Sequence, residues 1–337
     1  MSKKKIWIIA GSILLLVLAS GAYFALSSFT QKENRYVLIY DNDTYDSLCA
    51  RLDTIASPLR MPMFRAMATI SGFSSKKPHP GRYKVSGLST FTLIQNFRHG
   101  LQEPLRYNVP LVWKPENLAK RLSTKFLTDS ATFADAFADS ILLAEYGITP
   151  PELFCIIIPD TYEFYWTMTP KDFLQRMKSE SERFWNDKRS KKAASQGLTP
   201  KEAVTLASIV EKETAQDDEK AVIAGLYLNR LRKGMKLQAD PTVKFAVGDF
   251  ALRRILNRHL QTPSPYNTYM HEGLPPAPIC LPSRASIEAV LDAKTHNYIY
   301  MCAREDFSGH HNFAETFAEH QENARRYTHA LNERGIK

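Results

Sequence analysis

Two glutamates close an otherwise apolar helical run in the stretch ASIVEKET, Ala207 to Thr214. At about 100° per residue, Ala203, Leu206, Ala207 and Val210 share one helical face and Lys212 points away from it. Glu211 and Glu213 then fall on the two edges of the apolar stripe, where a carboxylate is half-buried. Burial disfavours the charged form, and a carboxyl that keeps its proton near neutral pH can act as a general acid. Periodicity does not choose between the two. A glutamate at a helix edge is also, more commonly, a solvated side chain with no chemistry to do.

The segments that follow carry neutral donors, acceptors and flat rings. Asn229, Gln238, Asn267, Tyr266 and Tyr269 suit a polyhydroxylated ligand, because sugars offer hydroxyls to the first kind and C–H faces to the second. Histidine argues for no metal: His310 and His311 are adjacent and do not easily reach one ion, and His320 adds no ligand-spaced partner. No cofactor motif is present. The four cysteines, Cys49, Cys155, Cys280 and Cys302, are widely spaced without a CxxC pair and fix no bridge.

These residues need a scaffold, and the sequence sketches one. Thr199, Pro200 and Glu202 spell a capping box with proline at the first helical position, so the glutamate-bearing helix starts at Thr199. The basic stretch before it, NDKRSKKAASQG, reads as a solvated loop. A unit opens at Pro151 with PELFCIIIPDTYEFYW, read as an apolar strand, a turn and an aromatic cluster, and extends over residues 151–334. Residues 106–150 form a mostly helical connection. Upstream, RYVLIY and HPGRYKVSG read as strands, DNDTYDSLCARL as a helix, and STFTLIQNFRHG as a capped helix ending at Gly100. That pattern describes a small α+β module over residues 33–105, and the fold class expected throughout is α+β.

The N-terminus is the most legible part. After a cytoplasmic tail, residues 1–5 with Lys3, Lys4 and Lys5, come 21 residues without a charge, Ile6 to Leu26. About 20 apolar residues span a bilayer as a helix, here over residues 6–27, and the preceding lysines predict an N-in, C-out orientation. The competing reading is a cleaved signal peptide ending near ASGA. Either way the rest of the chain is exported. The net charge of +9 falls to +6 without those three lysines, a mild excess with no arginine clustering, so nucleic acid is not expected as a partner.

LASIVEKET, NRLRKGMKLQADPTV, PYNTYMHEGLPPAPI and HHNFAETFAEHQEN, in this order and spacing, resemble the successive signature blocks of the YceG-like family of endolytic murein transglycosylases, over roughly Pro151 to Tyr327. HPGRYKV and its surroundings are similar to that family's LysM-like region. The resemblance implies that the glutamate followed by threonine, Glu213, is catalytic, and that Gln238, Asp240, Thr242, Tyr266, Asn267 and Tyr269 line a glycan cleft shaped by Gly273 to Pro276. It implies cleavage of the β-1,4 bond between N-acetylmuramic acid and N-acetylglucosamine in nascent peptidoglycan strands, leaving 1,6-anhydro ends. It further implies a single-pass inner-membrane protein with its catalytic domain in the periplasm, near penicillin-binding synthases. Ile158, Phe245 and Cys280 depart from the residues usual in the family at those places. The alternative from another class is a non-catalytic, membrane-anchored scaffold that binds peptidoglycan.

Overall fold

The computed structural model describes residues 3–252 and 254–335. In chain order it begins with α1 (Lys3–Leu26), β1 (Tyr36–Ile39), α2 (Tyr45–Asp53), α3 (Arg60–Ile70), β2 (Gly81–Lys84), α4 (Thr90–His99) and β3 (Leu105–Asn108). Then follow α5 (Pro115–Ser123), α6 (Ser130–Ala138), α7 (Ser140–Ala144), a 3-10 turn (Pro150–Ile156), β4 (Thr161–Phe164), α8 (Pro170–Phe184) and α9 (Asp187–Ser195). The rest comprises α10 (Pro200–Glu213), α11 (Asp217–Arg232), α12 (Asp240–Val247), α13 (Asn257–Leu260), α14 (Arg284–Leu291), β5 (Tyr300–Ala303), β6 (His311–Ala314) and α15 (Phe317–Glu333). Among the described residues the sheets are two-stranded pairs, β1 with β2, β3 with β4 and β5 with β6, the first and last antiparallel. The fold is α+β, mostly helical.

The chain divides into two compact units. The first holds the residues through Tyr107 together with Lys125–Leu127 and Glu163–Met168; the second holds Asn108–Thr124, Thr128–Tyr162 and everything from Thr169 onward. In the first, β1 and β2 pair with Tyr36 opposite Lys84, and α2 and α3 lie between them in sequence. Phe29, Phe64, Phe73, Tyr83 and Phe97 are fully buried at its centre and meet ring to ring, with Tyr83 edge-on to Phe97 at 5.1 Å between centroids. Helix α1 bears apolar side chains on all sides, almost all exposed, and is long and apolar enough to cross a membrane.

The second unit is built around α10. Thr199 caps it as its spelling predicts: the threonine oxygen accepts from the Glu202 amide, and Glu202 reaches back to the Thr199 amide at 2.8 Å. Beyond that start, the helix differs from an amphipathic one. Every residue from Ala203 to Val210 is buried, not a single stripe. Small residues make this possible, because Ala203, Ala207 and Ser208 let α11 and α14 approach closely, and the hydroxyls are satisfied internally. Ser208 donates to the Thr205 carbonyl at 2.7 Å and accepts the Ile279 amide at 3.0 Å.

Two other local expectations are corrected. The run LFCI forms a 3-10 turn and not a strand, because Pro150 and Pro151 occupy the first positions and Thr149 with Glu152 closes a capping box on it. Strand structure begins only at Thr161. The stretch expected as a solvated loop is helix α9, capped by Asn186 and docked on α14 through Arg189 to Glu288 at 2.6 Å and Lys192 to Asp292. The Asn186 cap and Asp187 in the first turn start the helix locally, and the ion pairs to residues about 100 positions away dock it.

Helix α11 packs against the connection between α14 and β5 at Gly225. A Cβ there would run into the Lys294 carbonyl oxygen and the His296 ring. The close approach is held by Lys294 donating its amide to the Ala221 carbonyl at 2.9 Å and by the Asn229 amide donating to the His296 carbonyl at 2.7 Å. Gly225→Ala should therefore cost about 2–3 kcal/mol despite alanine's better helix propensity. Urea titration of the variant should show a lowered midpoint at unchanged slope; an unaltered midpoint would mean the connection is free to retreat.

Candidate active site

Helix α10 ends at Glu213, and the chain turns at Thr214 into α11, which runs back beside it. That turn brings the end of one helix against the middle of the next. The Tyr227 hydroxyl, on α11, donates to Glu213 Oε1 at 2.5 Å. The glutamate lies in the wall of a cavity of about 220 Å³, also lined by Arg230, Gln238, Asp240, Tyr269 and His311. The β5–β6 hairpin supplies one wall, with Met301, Cys302 and Ala303 from one strand and His311, paired opposite Ala303, from the other. A larger hollow of about 580 Å³ beside Trp113 and Phe250 has no carboxylate in its lining.

The surroundings set the protonation of Glu213. Burial pushes its carboxyl up to about 7; the Tyr227 hydrogen bond pulls the other way, the nearby Asp240 charge adds to the rise, and Arg230 and Lys244 offset part of it. Arg230 is buried and fixed: its Nε donates to the Ile299 carbonyl at 2.7 Å and an outer nitrogen to the Leu237 carbonyl at 2.9 Å. It holds the strand entering β5 and the loop before α12 in place while adding positive charge behind the cavity. Burial and the glutamate's charge together hold the Tyr227 hydroxyl well above its ordinary range, so it stays a donor.

Glu211, two residues earlier, is engaged differently. Burial alone would raise it, but hydrogen bonds from Ser283 and Ser286 and the charge of Lys220 hold it below the ordinary carboxylate value. Its Oε2 accepts from the Ser283 and Ser286 hydroxyls, each at 2.5 Å, and from the Ser283 amide at 3.2 Å, with Lys220 Nζ at 3.6 Å. These donors tie the end of α10 to the start of α14. Glu211 is thus a fully engaged carboxylate, and Glu213 a carboxyl with a raised pKa that lines a cavity.

The other residues singled out in the sequence divide. Gln238, Asp240 and Tyr269 join Glu213 in the cavity lining, with the Tyr269 hydroxyl donating to Asp240 Oδ1 at 2.7 Å. Gln238 sits at a positive φ of 49°, a conformation that costs a non-glycine residue energy, and its side-chain oxygen accepts from Arg230 at 3.3 Å. Thr242 and Asn267 are fully buried away from the cavity. Thr242 bonds to the Thr268 hydroxyl at 2.8 Å, and the Asn267 amide donates to the Leu260 and Thr262 carbonyls, both at 2.9 Å. They brace the Pro-rich loop that presents Tyr269. Tyr266 is half-buried against Phe245, with centroids 4.6 Å apart. Tyr227 and Arg230 escaped the sequence reading; their signal was two polar tips one helical turn apart in the apolar run GLYLNRL.

Among the described residues no group of three or more His, Cys, Asp or Glu is placed to hold a metal ion. His310 faces Asp218 at 3.3 Å, His311 faces Glu219 at 3.1 Å, and His320 stacks on Tyr300. Among the described residues the cysteines are unbridged.

Comparison with known proteins fits this picture. The model of the YceG-like family matches residues 37–326. A Bacillus subtilis protein named endolytic murein transglycosylase is 37% identical over 131 residues, 39% of this chain and 36% of that one. A Streptococcus pneumoniae protein of the same name is 34% identical over 113 residues, 32% of this chain and 20% of that one. The match thus spans about a third or less of these relatives' own length. The crystal structure of a yceG-like protein from Listeria monocytogenes shares the fold, with a TM-score of 0.56 at 24% identity over 87% of this chain and 99% of that one.

The environment of Glu213 has a measurable consequence for folding. Below the ordinary carboxyl value of 4.5 both folded and unfolded chains hold the proton. As pH rises toward about 7 the unfolded chain releases it while the folded one keeps it, so stability is lost through that window. Glu213→Gln removes this penalty. The variant should match the parent at pH 4.5 and exceed it by about 3 kcal/mol above pH 7.5, read by thermal denaturation across pH. A constant difference at all pH values would show that Glu213 titrates normally.

Proposed function

This chain belongs to the YceG-like family, and we propose that it is an endolytic lytic transglycosylase that cleaves the β-1,4 bond between N-acetylmuramic acid and N-acetylglucosamine within peptidoglycan strands. The observation that carries the reading is the carboxyl of Glu213, pushed up to about 7 at the wall of a cavity lined by hydroxyl, amide and cationic donors. The name borne by the relatives from Bacillus and Streptococcus supports the substrate class.

In this mechanism Glu213 begins protonated. It gives its proton to the glycosidic oxygen as the bond to the anomeric carbon breaks. The muramic acid's own 6-hydroxyl then attacks that carbon, and the glutamate, now a carboxylate, accepts the hydroxyl proton. No water has to be activated, so one carboxyl serves where ordinary glycosidases use two. Tyr227 holds Oε1 by its hydrogen bond, leaving Oε2 for the proton, and supports the anionic form reached halfway through. The cation of Arg230 and the substrate's N-acetyl group ease the changing charge. Gln238, Asp240 and Tyr269 are the proposed glycan contacts, with Thr242, Asn267 and Tyr266 holding the loops that carry them.

The remaining assignments follow the same reading. Two helices between the paired strands β1 and β2 support a LysM-like module over residues 33–105. Helix α1 acts as an uncleaved inner-membrane anchor, with Lys3, Lys4 and Lys5 on the cytoplasmic side and the catalytic unit outside. There it would meet nascent strands, beside penicillin-binding synthases, and limit their length.

Mass spectrometry of uncrosslinked glycan incubated with the full chain in detergent tests the reaction. Anhydro-ended fragments should form, fall off as pH rises through about 7, and vanish with Glu213→Gln. Tyr227→Phe removes a bond that favours the carboxylate, so its alkaline limb should move to higher pH while the rate falls about tenfold. Reducing-end products would instead make the chain a hydrolase with Asp240 as second carboxylate. Binding without cleavage by the parent chain would favour a scaffold.

A further inference from the structure

The end of α1 is fixed to the first unit by a set of specific bonds. Arg60 is buried, and its guanidinium donates to the Phe24 carbonyl at 2.9 Å and the Ser27 hydroxyl at 2.7 Å while lying over the Phe24 ring at 4.9 Å and the Tyr23 ring at 5.8 Å. Just beyond, Ser28 bridges to Ser89, and the Phe29 amide donates to the Leu88 carbonyl at 2.8 Å. The helix therefore does not lead into a free linker. Whatever plane α1 exits, the starts of α3 and α4 lie against that exit.

Both starts carry an apolar side chain that the core does not use. Leu59, next to Arg60, is 69% exposed. Its backbone stands in the left-handed region, at φ of 65°, where glycine or asparagine would be favoured. Phe91, two residues after Ser89, is 50% exposed, and Leu26, the last residue of α1, is 70% exposed. Folding explains none of these: burying each would be worth up to about 1.5–3 kcal/mol, and Leu59 adds backbone strain.

We propose that Leu26, Leu59 and Phe91 form a membrane-resting surface, with Leu59 and Phe91 seated in the outer headgroup–acyl boundary around the exit of α1. This rests on the reading of α1 as a membrane anchor. Its continuity with that helix selects lipid as the occupant: an exposed side chain beside the exit of a spanning helix is at headgroup depth. Interfacial apolar groups of this kind sit about 5–10 Å into the boundary. The contact would set the first unit at a fixed height and tilt over the bilayer, where a flexible tether would let it roam.

The test uses the full chain in phospholipid vesicles with Leu59→Cys, Phe91→Cys, Leu16→Cys or Ile70→Cys, each on a Cys302→Ser background and labelled with an NBD fluorophore. Cys49, Cys155 and Cys280 are buried and stay unlabelled. Ile70 is 86% exposed at the far end of α3, about 15 Å from its start, and serves as the solvent reference. The proposal predicts quenching at positions 59 and 91 by spin labels carried near the lipid headgroup, deep quenching at 16, and none at 70. Quenching at 16 with positions 59 and 91 as dark to lipid as 70 overturns the surface while keeping the anchor. No quenching at 16 overturns the anchor and the surface with it, and equal quenching at 59, 91 and 70 assigns the contact to non-specific adsorption.

Discussion

A carboxyl can be an acid at neutral pH only if it is kept from water and from cations that would ionise it, yet stays open to a substrate. The hydrogen bond from Tyr227 to Glu213 marks where this chain meets that demand. It orients one oxygen of the glutamate, whose side chain lines the cavity. The rest of the second unit holds that pair. Helix α10 is buried from Ala203 to Val210, which anchors the turn that ends at Glu213; α11 returns beside it because the turn at Thr214 is short; and Gly225 lets the connection from α14 close over the back of α11.

The two glutamates of one helical turn show how surroundings, not residue type, assign chemistry. Glu211 accepts three hydrogen bonds from the start of α14 and faces Lys220, which makes it a fastener between helices. Glu213 has one neutral donor, an acidic neighbour in Asp240 and a cavity in front of it. Both are taken from water; the donors and Lys220 more than offset this for the first, whereas Tyr227, Arg230 and Lys244 offset it only in part for the second. The same burial therefore leaves one carboxyl below its ordinary value and pushes the other up to about 7.

Much of this scaffold was legible in the residues because it rests on local rules. Thr199, Pro200 and Glu202 announce the start of α10, and Ser89 and Gly100 bound α4, each through bonds within a few residues of chain. What escaped depends on distant partners. Helix α9 has a local start signal in Asn186, but its docking through Arg189 to Glu288 and Lys192 to Asp292 depends on partners about 100 residues away. Tyr227 reads as one more core residue of α11 until the fold sets it 14 positions from the glutamate it contacts. Conversely, Asn267 looks like a ligand contact by type and Thr242 by resemblance, and the structure spends their hydrogen bonds on bracing loops.

The claim on which the chemistry stands is that Glu213 is protonated near neutral pH. Carbon-13 NMR of the full chain, with labelled glutamate side chains and Glu213→Gln to assign the resonance, reads this directly. The account predicts one carboxyl signal that titrates with a midpoint of about 7 and is missing from the variant. A Glu213 signal that titrates near the ordinary 4.5 would contradict it, leaving the cavity with a carboxylate and no acid to start the reaction.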